Sequence, residues 1–215
     1  MKIIVLTDRK RYGLQNKKQD TPLILQGVSL PADRIPVVHT LPDTTLLRDS
    51  RPFFVPDYAR PCVYEMSLVL RVCRLGKCIS SKYAGRYYDA VTMGVAFTAL
   101  NLFTKCREEG LPWEISTGFD GSAAMGKFVP LPESGTADGF PRLRLCCNGE
   151  EVDCASAGHV MADADEYLAY VSNFYTLRQG DLLCLMCGSV QPEAVIDTRL
   201  TGFIGEEKVL SFNIK

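Results

Sequence analysis

The sequence predicts an α+β domain assembled mostly from short strands. Apolar runs of strand length, such as Val63 to Cys73 and Leu182 to Met186, recur along the chain and are closed by turn formers. Helical spacing is confined to a few short segments. Strands and helices do not alternate regularly, which argues against a doubly wound parallel sheet. With 215 residues, 47% of them hydrophobic, the chain can bury one sizeable core.

The elements follow in order. The N-terminal segment Met1 to Asp8 reads as a first strand. Residues 1–60 otherwise read as a loop-rich arm, because Pro22, Pro31, Pro36, Pro42, Pro52 and Pro56 interrupt any long element. Residues 61–215 form the main domain. Val63 to Cys73 alternates as a strand with one half-buried face does, and Gly76 ends it. Ser80 or Ser81 then caps a helix running through Tyr88. Val91–Val95 is a short apolar strand. Leu100, Phe103 and Cys106 give Thr98 to Glu109 a helical period, stopped by Gly110 and Pro112. Leu143–Cys147 enters a tight turn at Asn148-Gly149, where positive φ costs little. Asp163 to Glu166 has the spacing of a capping box and opens a helix with Leu168, Val171 and Tyr175 inward. Gly180-Asp181 turns the chain into Leu182–Met186, and Val209–Ile214 closes the domain.

Composition excludes several functions. A net charge of −1 and a pI near 6.1 give no global reason to bind nucleic acid or an anionic membrane. No apolar run approaches the roughly 18–20 residues that span a bilayer. The apolar stretch at the N-terminus is too short for a signal peptide, so a cytoplasmic protein is expected. The basic run Arg9–Lys18 reads as a solvated loop. An anion- or nucleic-acid-binding patch is its alternative, but Tyr12 is the one aromatic interleaved there. The nine cysteines are odd in number and form no closed disulfide framework. Cys184 and Cys187 have CxxC spacing, yet they fall in and just after an apolar strand and read as two core thiols. His159 reads as a surface or turn residue.

Several ordered blocks carry a family resemblance. They include Pro42-Asp43-Thr44-Thr45, Tyr64-Glu65, Leu75-Gly76-Lys77, Arg86-Tyr87-Tyr88-Asp89, Pro112-Trp113-Glu114, Gly118-Phe119-Asp120 and Gly180-Asp181. Together they resemble the fumarylacetoacetate hydrolase family, in particular its small bacterial members of the 2-hydroxyhepta-2,4-diene-1,7-dioate isomerase and acylpyruvate hydrolase type. The resemblance implies a mixed β-roll that dimerises. It also implies a divalent cation, Mg²⁺ or Mn²⁺, held by three carboxylates: two from a Tyr-Glu-x-Glu strand and one from an Asn-Asp pair. Hard cations want such an oxygen shell, and the bound metal stabilises enolate charge on a 2-oxo acid.

This chain departs from that pattern. Glu65 keeps the first ligand position, whereas Ser67 and Ala96 replace the other two. Thr117 stands for the family lysine. Leu100 and Phe103 fall in the run that reads Thr-Ala-Arg-Asp-x-Gln in relatives. Leu185-Met186-Cys187-Gly188 replaces Thr-Gly-Thr-Pro, and the water-activating His and Glu of hydrolytic members align near Gly13 and Asn16. The resemblance therefore implies a vestigial pocket of Glu65, Ser67, Ala96, Leu100, Phe103, Thr117 and Leu185, with Glu65 the one surviving metal-ligand position. No cofactor is expected unless other groups rebuild the site. The expected role is that of a binding protein for a small 2-oxo acid or apolar ligand, as a homodimer or as the partner of an active paralogue. The alternative is an enzyme on altered terms, a hydrolase, lyase or isomerase with Glu65 and Asp120 as candidate acid–base groups.

Overall fold

The computed structural model describes residues 1–8, 25, 28, 30–31, 34–47, 51–131, 139–191 and 193–215. The basic run Arg9–Lys18, with Gly13 and Asn16 inside it, lies outside the described residues. The strands, in chain order, are β1 (Ile3–Thr7), β2 (Val37–Leu41), β3 (Leu46–Leu47), β4 (Cys62–Val72), β5 (Tyr88–Ala99), β6 (Ala123–Met125), β7 (Val129–Pro130), β8 (Leu143–Cys147), β9 (Glu150–Ala155), β10 (Leu182–Met186), β11 (Arg199–Ile204) and β12 (Glu207–Asn213). The helices are α1 (Ser81–Ala84), α2 (Leu100–Glu108), α3 (Glu114–Thr117), α4 (Gly158–Ala162) and α5 (Ala164–Phe174).

Among the described residues the larger sheet runs β2-β1-β10-β4-β5-β6-β3, with β7 added beside β5. The β1–β10 and β3–β6 pairs are parallel and the rest antiparallel, so the sheet is mixed. The smaller sheet runs β12-β11-β8-β9. The larger sheet curls: a Cβ at Gly118, next to α3, would come within 3.7 Å of Leu41 on the opposite edge strand β2. This is the α+β roll that the sequence predicts, with few and short helices.

Residue parity explains the layers. Even-numbered residues of β4 (Tyr64, Met66, Leu68, Leu70, Val72) join the main core with Leu143, Leu145, Leu200 and Phe212 of the smaller sheet and Leu168 and Val171 of α5. Odd-numbered residues face the concave side of the curl. There Val69 packs with Ile3, Val5, Leu41, Ala123, Leu182 and Cys184 in a second apolar cluster. β4 is therefore buried on both faces, not on the one that its alternation predicts, because the curl encloses the second face too. Its partner β5 extends over 12 residues from Tyr88, so the helix expected through Tyr88 shrinks to the single turn of α1, and Val91–Val95 is only the middle of a long strand. Pairing with β4 through eleven positions overrides the local helical preference there.

Other local expectations meet the structure in detail. Asn148 (φ 52°) and Gly149 (φ 91°) form the tight β8–β9 turn. α5 buries Leu168 and Val171, but Tyr175 falls just beyond the helix and Asp163 makes no capping hydrogen bond. The Asp163 carboxylate instead accepts from Arg34 Nη1 at 3.0 Å, a long-range partner invisible to local spacing. β1 and β2, from the expected arm, hydrogen-bond into the larger sheet itself.

One buried carboxylate clamps the central parallel seam. Asp181, 1% exposed, accepts from the Lys2 backbone N–H (2.7 Å) and the Arg178 backbone N–H (2.8 Å) and pairs with Lys2 Nζ at 2.6 Å. It thereby ties β1 to β10 at their entry.

Candidate functional site

Antiparallel register places the resemblance-derived positions on one wall. Glu65 faces Ala96 across β4–β5, and Ser67 faces Gly94. On the far side of Ser67 lies Met186 of β10. Glu65 and Ser67 are 3% and 2% exposed, while Ala96 is half-buried at the mouth of the concave side. A Cβ at Gly94 would come within 2.8 Å of the Ser67 Oγ and 3.1 Å of the Met125 sulfur. The wall around Ser67 is thus already filled by a hydroxyl and two thioethers.

A cavity of about 40 Å³ remains on this side, bordered by Thr7, His39, Tyr64, Ala96, Thr98, Thr117 and Met186 among others. That is room enough for water, which needs roughly 10–15 Å³ on this measure. Ala96 and Thr117 border it directly, and Glu65 and Ser67 lie on the same strand face. The remaining expected members stand apart from it. Leu185, one residue out of phase with Met186, is 1% exposed in the main core. Leu100 begins α2 at 37% exposure. Phe103 packs edge-on against Trp113, with Arg107 over its ring. The curl brings four of the expected positions to one wall and leaves these three outside, because strand parity sends Leu185 the other way and α2 leaves the sheet after Ala99. Asp120 lies in an exposed turn before Gly121 (φ 75°).

Sequence reasoning missed Thr7, His39 and Met186. His39 is 7% exposed and shares the parity of Val37 and Leu41 in β2, a signal present in the alternation of that strand. Met186 was visible as the residue at the glycine of the Thr-Gly-Thr-Pro run, and its consequence is steric: a long side chain where relatives have none.

Among the described residues, the donors at the expected position fall short of the three carboxylates that a hard dication favours. Among the described residues no group of three or more His, Cys, Asp or Glu side chains could hold a metal ion. At the expected position Glu65 contributes one carboxylate, Ser67 a hydroxyl, and Ala96 nothing. Mg²⁺ and Mn²⁺ favour several anionic oxygens.

Of the CxxC pair, Cys184 is buried and Cys187 half-buried. All nine cysteines are free. Burial pushes the Cys184 thiol up to about 12, and burial, with a small contribution from Asp153, pushes Cys187 up to about 12. Neither forms appreciable thiolate near neutral pH. Iodoacetamide at pH 8 is expected to modify the exposed Cys78 and Cys154 and to leave Cys184 and Cys187 intact in the folded protein. Mass spectrometry of the peptides checks this, and rapid labelling of Cys187 would contradict it.

A mixed, curled sheet packed on a smaller antiparallel sheet, with a concave wall at Glu65, defines the class of protein. The chain belongs to the fumarylacetoacetate (FAA) hydrolase C-terminal family, whose model matches residues 15–199. Its sequence is 27% identical over 148 residues to the mitochondrial oxaloacetate tautomerase of Rattus norvegicus, covering 69% of this chain and 66% of that protein. It is 23% identical over 157 residues to an oxaloacetate tautomerase of Escherichia coli (strain K12), covering 73% and 71% of the two chains. The match thus spans just under two thirds of the mammalian relative's length. The structure is similar to fumarylpyruvate hydrolase from Pseudomonas aeruginosa in complex with Mn²⁺ and pyruvate, with a TM-score of 0.78 at 20% identity, covering 100% of this chain and 89% of that one. It is also similar to 2-hydroxyhepta-2,4-diene-1,7-dioate isomerase from Mycobacterium marinum (TM-score 0.75, 19% identity, 99% and 73% covered). At these identities the structural likeness establishes the fold. Among the described residues no helix is long and apolar enough to cross a membrane.

Proposed function

We propose that this family member has lost metal-dependent 2-oxo acid chemistry and serves as a binding or dimer-partner protein, as a homodimer or beside an active paralogue. The observation that carries this reading is the register of β4 on β5. Where three carboxylates would meet, the facing pairs are Glu65–Ala96 and Ser67–Gly94. Met186 and Met125 border the same wall, and the cavity left on this side has a volume of about 40 Å³. Titration of the full chain with Mn²⁺ by calorimetry is expected to show no binding in the micromolar range. A micromolar dissociation constant that Glu65→Gln abolishes would overturn the reading.

A second reading rests on a different observation: Glu65 and His39, both buried, lie on the concave side of one sheet. Keto–enol tautomerisation requires only that a base remove a proton from one atom and an acid return one to another. Oxaloacetate tautomerases are among the relatives. If this reading holds, enol-oxaloacetate ketonises above the buffer rate without added metal, and Glu65→Gln removes the excess. A rate equal to buffer leaves the first reading standing alone.

A further inference from the structure

The chain-wide charge of −1 conceals an uneven distribution. Residues 74–88 and 167–180 hold five of the 24 Lys and Arg residues (Arg74, Lys77, Lys82, Arg86 and Arg178) and none of the 25 Asp and Glu. The fold joins these two segments into one lobe. Gly76 and Leu177 exchange backbone hydrogen bonds of 3.0 and 2.8 Å, and the Cys78 N–H donates to the Ser172 carbonyl at 3.0 Å. Lys77 Nζ donates to the Asn173 carbonyl at 3.0 Å. The Cys73 N–H donates to the Tyr87 carbonyl at 2.8 Å, which folds α1 back onto the same loop. All five cations are exposed, and among the described residues none of them makes a salt bridge.

The carboxylates at the margins of the lobe have partners of their own. Asp89 holds Arg71 at 2.9 Å, Asp181 holds Lys2 at 2.6 Å, and Asp165 accepts from the Tyr88 hydroxyl at 2.9 Å. Glu166 stands beside Asp165 in the first turn of α5. Apolar side chains project among the five cations. Leu75, flanked by Arg74 and Lys77, is 71% exposed, the most of any large hydrophobic residue among those described. Tyr83 and Phe174 are exposed as well. Apolar tips set among uncompensated cations match the two layers of an anionic bilayer surface, its charged headgroups and the acyl boundary beneath them. Single-stranded nucleic acid fits less well, because it needs open ring faces on which bases stack. Lys82 Nζ and Arg86 Cζ already lie 5.6 and 5.1 Å from the centroid of the Tyr83 ring, and Leu75 has no ring.

We propose that this lobe docks on an anionic lipid surface, with Leu75 entering the headgroup layer and Arg74, Lys77, Lys82, Arg86 and Arg178 meeting lipid phosphates and carboxylates. The lobe lies where β4 ends and where β5 and β10 begin, at the end of the larger sheet away from the concave wall. Ser67 to Val72 alone separates the two by about 17 Å at the rise of an antiparallel strand. Docking therefore leaves the Glu65 wall open, and it does not depend on whether that wall is catalytic.

Sedimentation of the full chain with lipid vesicles tests the proposal. Vesicles of equal phosphatidylcholine and phosphatidylserine are expected to carry the protein down, and vesicles of phosphatidylcholine alone to leave it in solution. Raising KCl from about 0.1 M to about 1 M, which shortens the screening length from about 10 to about 3 Å, should release most of it. Arg74→Gln with Lys77→Gln should weaken partitioning about 25-fold, at about fivefold for each cation near the surface. Leu75→Ser should weaken it about fivefold, the effect of partly burying one leucine. Lys105→Gln with Arg107→Gln removes the same charge from exposed positions of α2, beyond the other end of β5, and should leave partitioning within about twofold. Circular dichroism verifies that each variant folds. No sedimentation with the serine lipid, equal sedimentation with both lipids, or an equal loss in the α2 variant would each overturn the assignment. So would polyuridine that strips the protein from the vesicles at about 0.15 M salt, which would give the lobe to nucleic acid instead.

Discussion

Ser67→Glu combined with Ala96→Asp and Met186→Gly is expected to create Mn²⁺ binding in the micromolar range where the parent chain shows none. The two introduced carboxylates would stand with Glu65 on one wall, since positions 65 and 67 share a strand face and position 96 lies directly across from 65. Unit charges 4 Å apart interact by about 4 kcal/mol at an effective dielectric of 20. Even after desolvation offsets most of that, two restored carboxylates should tighten a dication by at least about a hundredfold. Met186→Gly belongs in the set because Met186 sits beside Ser67 and borders the cavity. Calorimetry of the triple variant and of the double variant that keeps Met186 separates charge from space. Binding in the triple variant alone would mean that the thioether blocks the site. Absence of binding in a folded triple variant would mean that the wall no longer has the family geometry.

Asp181→Ala is expected to lower stability more than any substitution of an exposed residue. The carboxylate receives two backbone N–H groups and the Lys2 ammonium while itself almost wholly buried. Removing it strands those donors at the seam between β1 and β10. Truncating one partner of a buried pair typically costs about 3–5 kcal/mol. Lys2 is one-third exposed, so the lower end is the better expectation, about 3 kcal/mol, or roughly 6–12 °C in Tm for a chain of this size. Asp181→Asn, which keeps one acceptor oxygen, should lose less. A scanning thermal melt measures both, and a Tm within about 2 °C of the parent for Asp181→Ala, roughly 1 kcal/mol or less, would show that the clamp carries little.

Strand parity made the shared face of Glu65 and Ser67 legible in advance. Tyr64 to Leu68 alternates, so Glu65 and Ser67 had to share a face whatever the tertiary structure. The Asn148-Gly149 turn was equally local, because it depends only on two residues that tolerate positive φ. The misreadings share one cause. Tyr88 belongs to a strand because β4 pairs with it, and Asp163 leaves its helix terminus for Arg34, 129 positions away. Leu185 was assigned to the pocket from its place in a motif, while the register put its neighbour Met186 there. Thr7 and His39 come from strands that reach the concave side only because the sheet curls, and curl is a property of the whole sheet, not of either segment.

The Lys2–Asp181 clamp also constrains how the molecule can be made. The two residues are 179 positions apart, and β1 lies between β2 and β10 in the sheet. During synthesis β1 therefore emerges well before β10, with β2 the sheet neighbour available to it, and its other edge stays open until residues 182–186 leave the ribosome. Such long-range parallel closure is entropically slow. The growing chain thus exposes an apolar strand edge while residues 42–181 are made, a period in which a chaperone that masks Ile3 to Leu6 would raise the yield of folded protein.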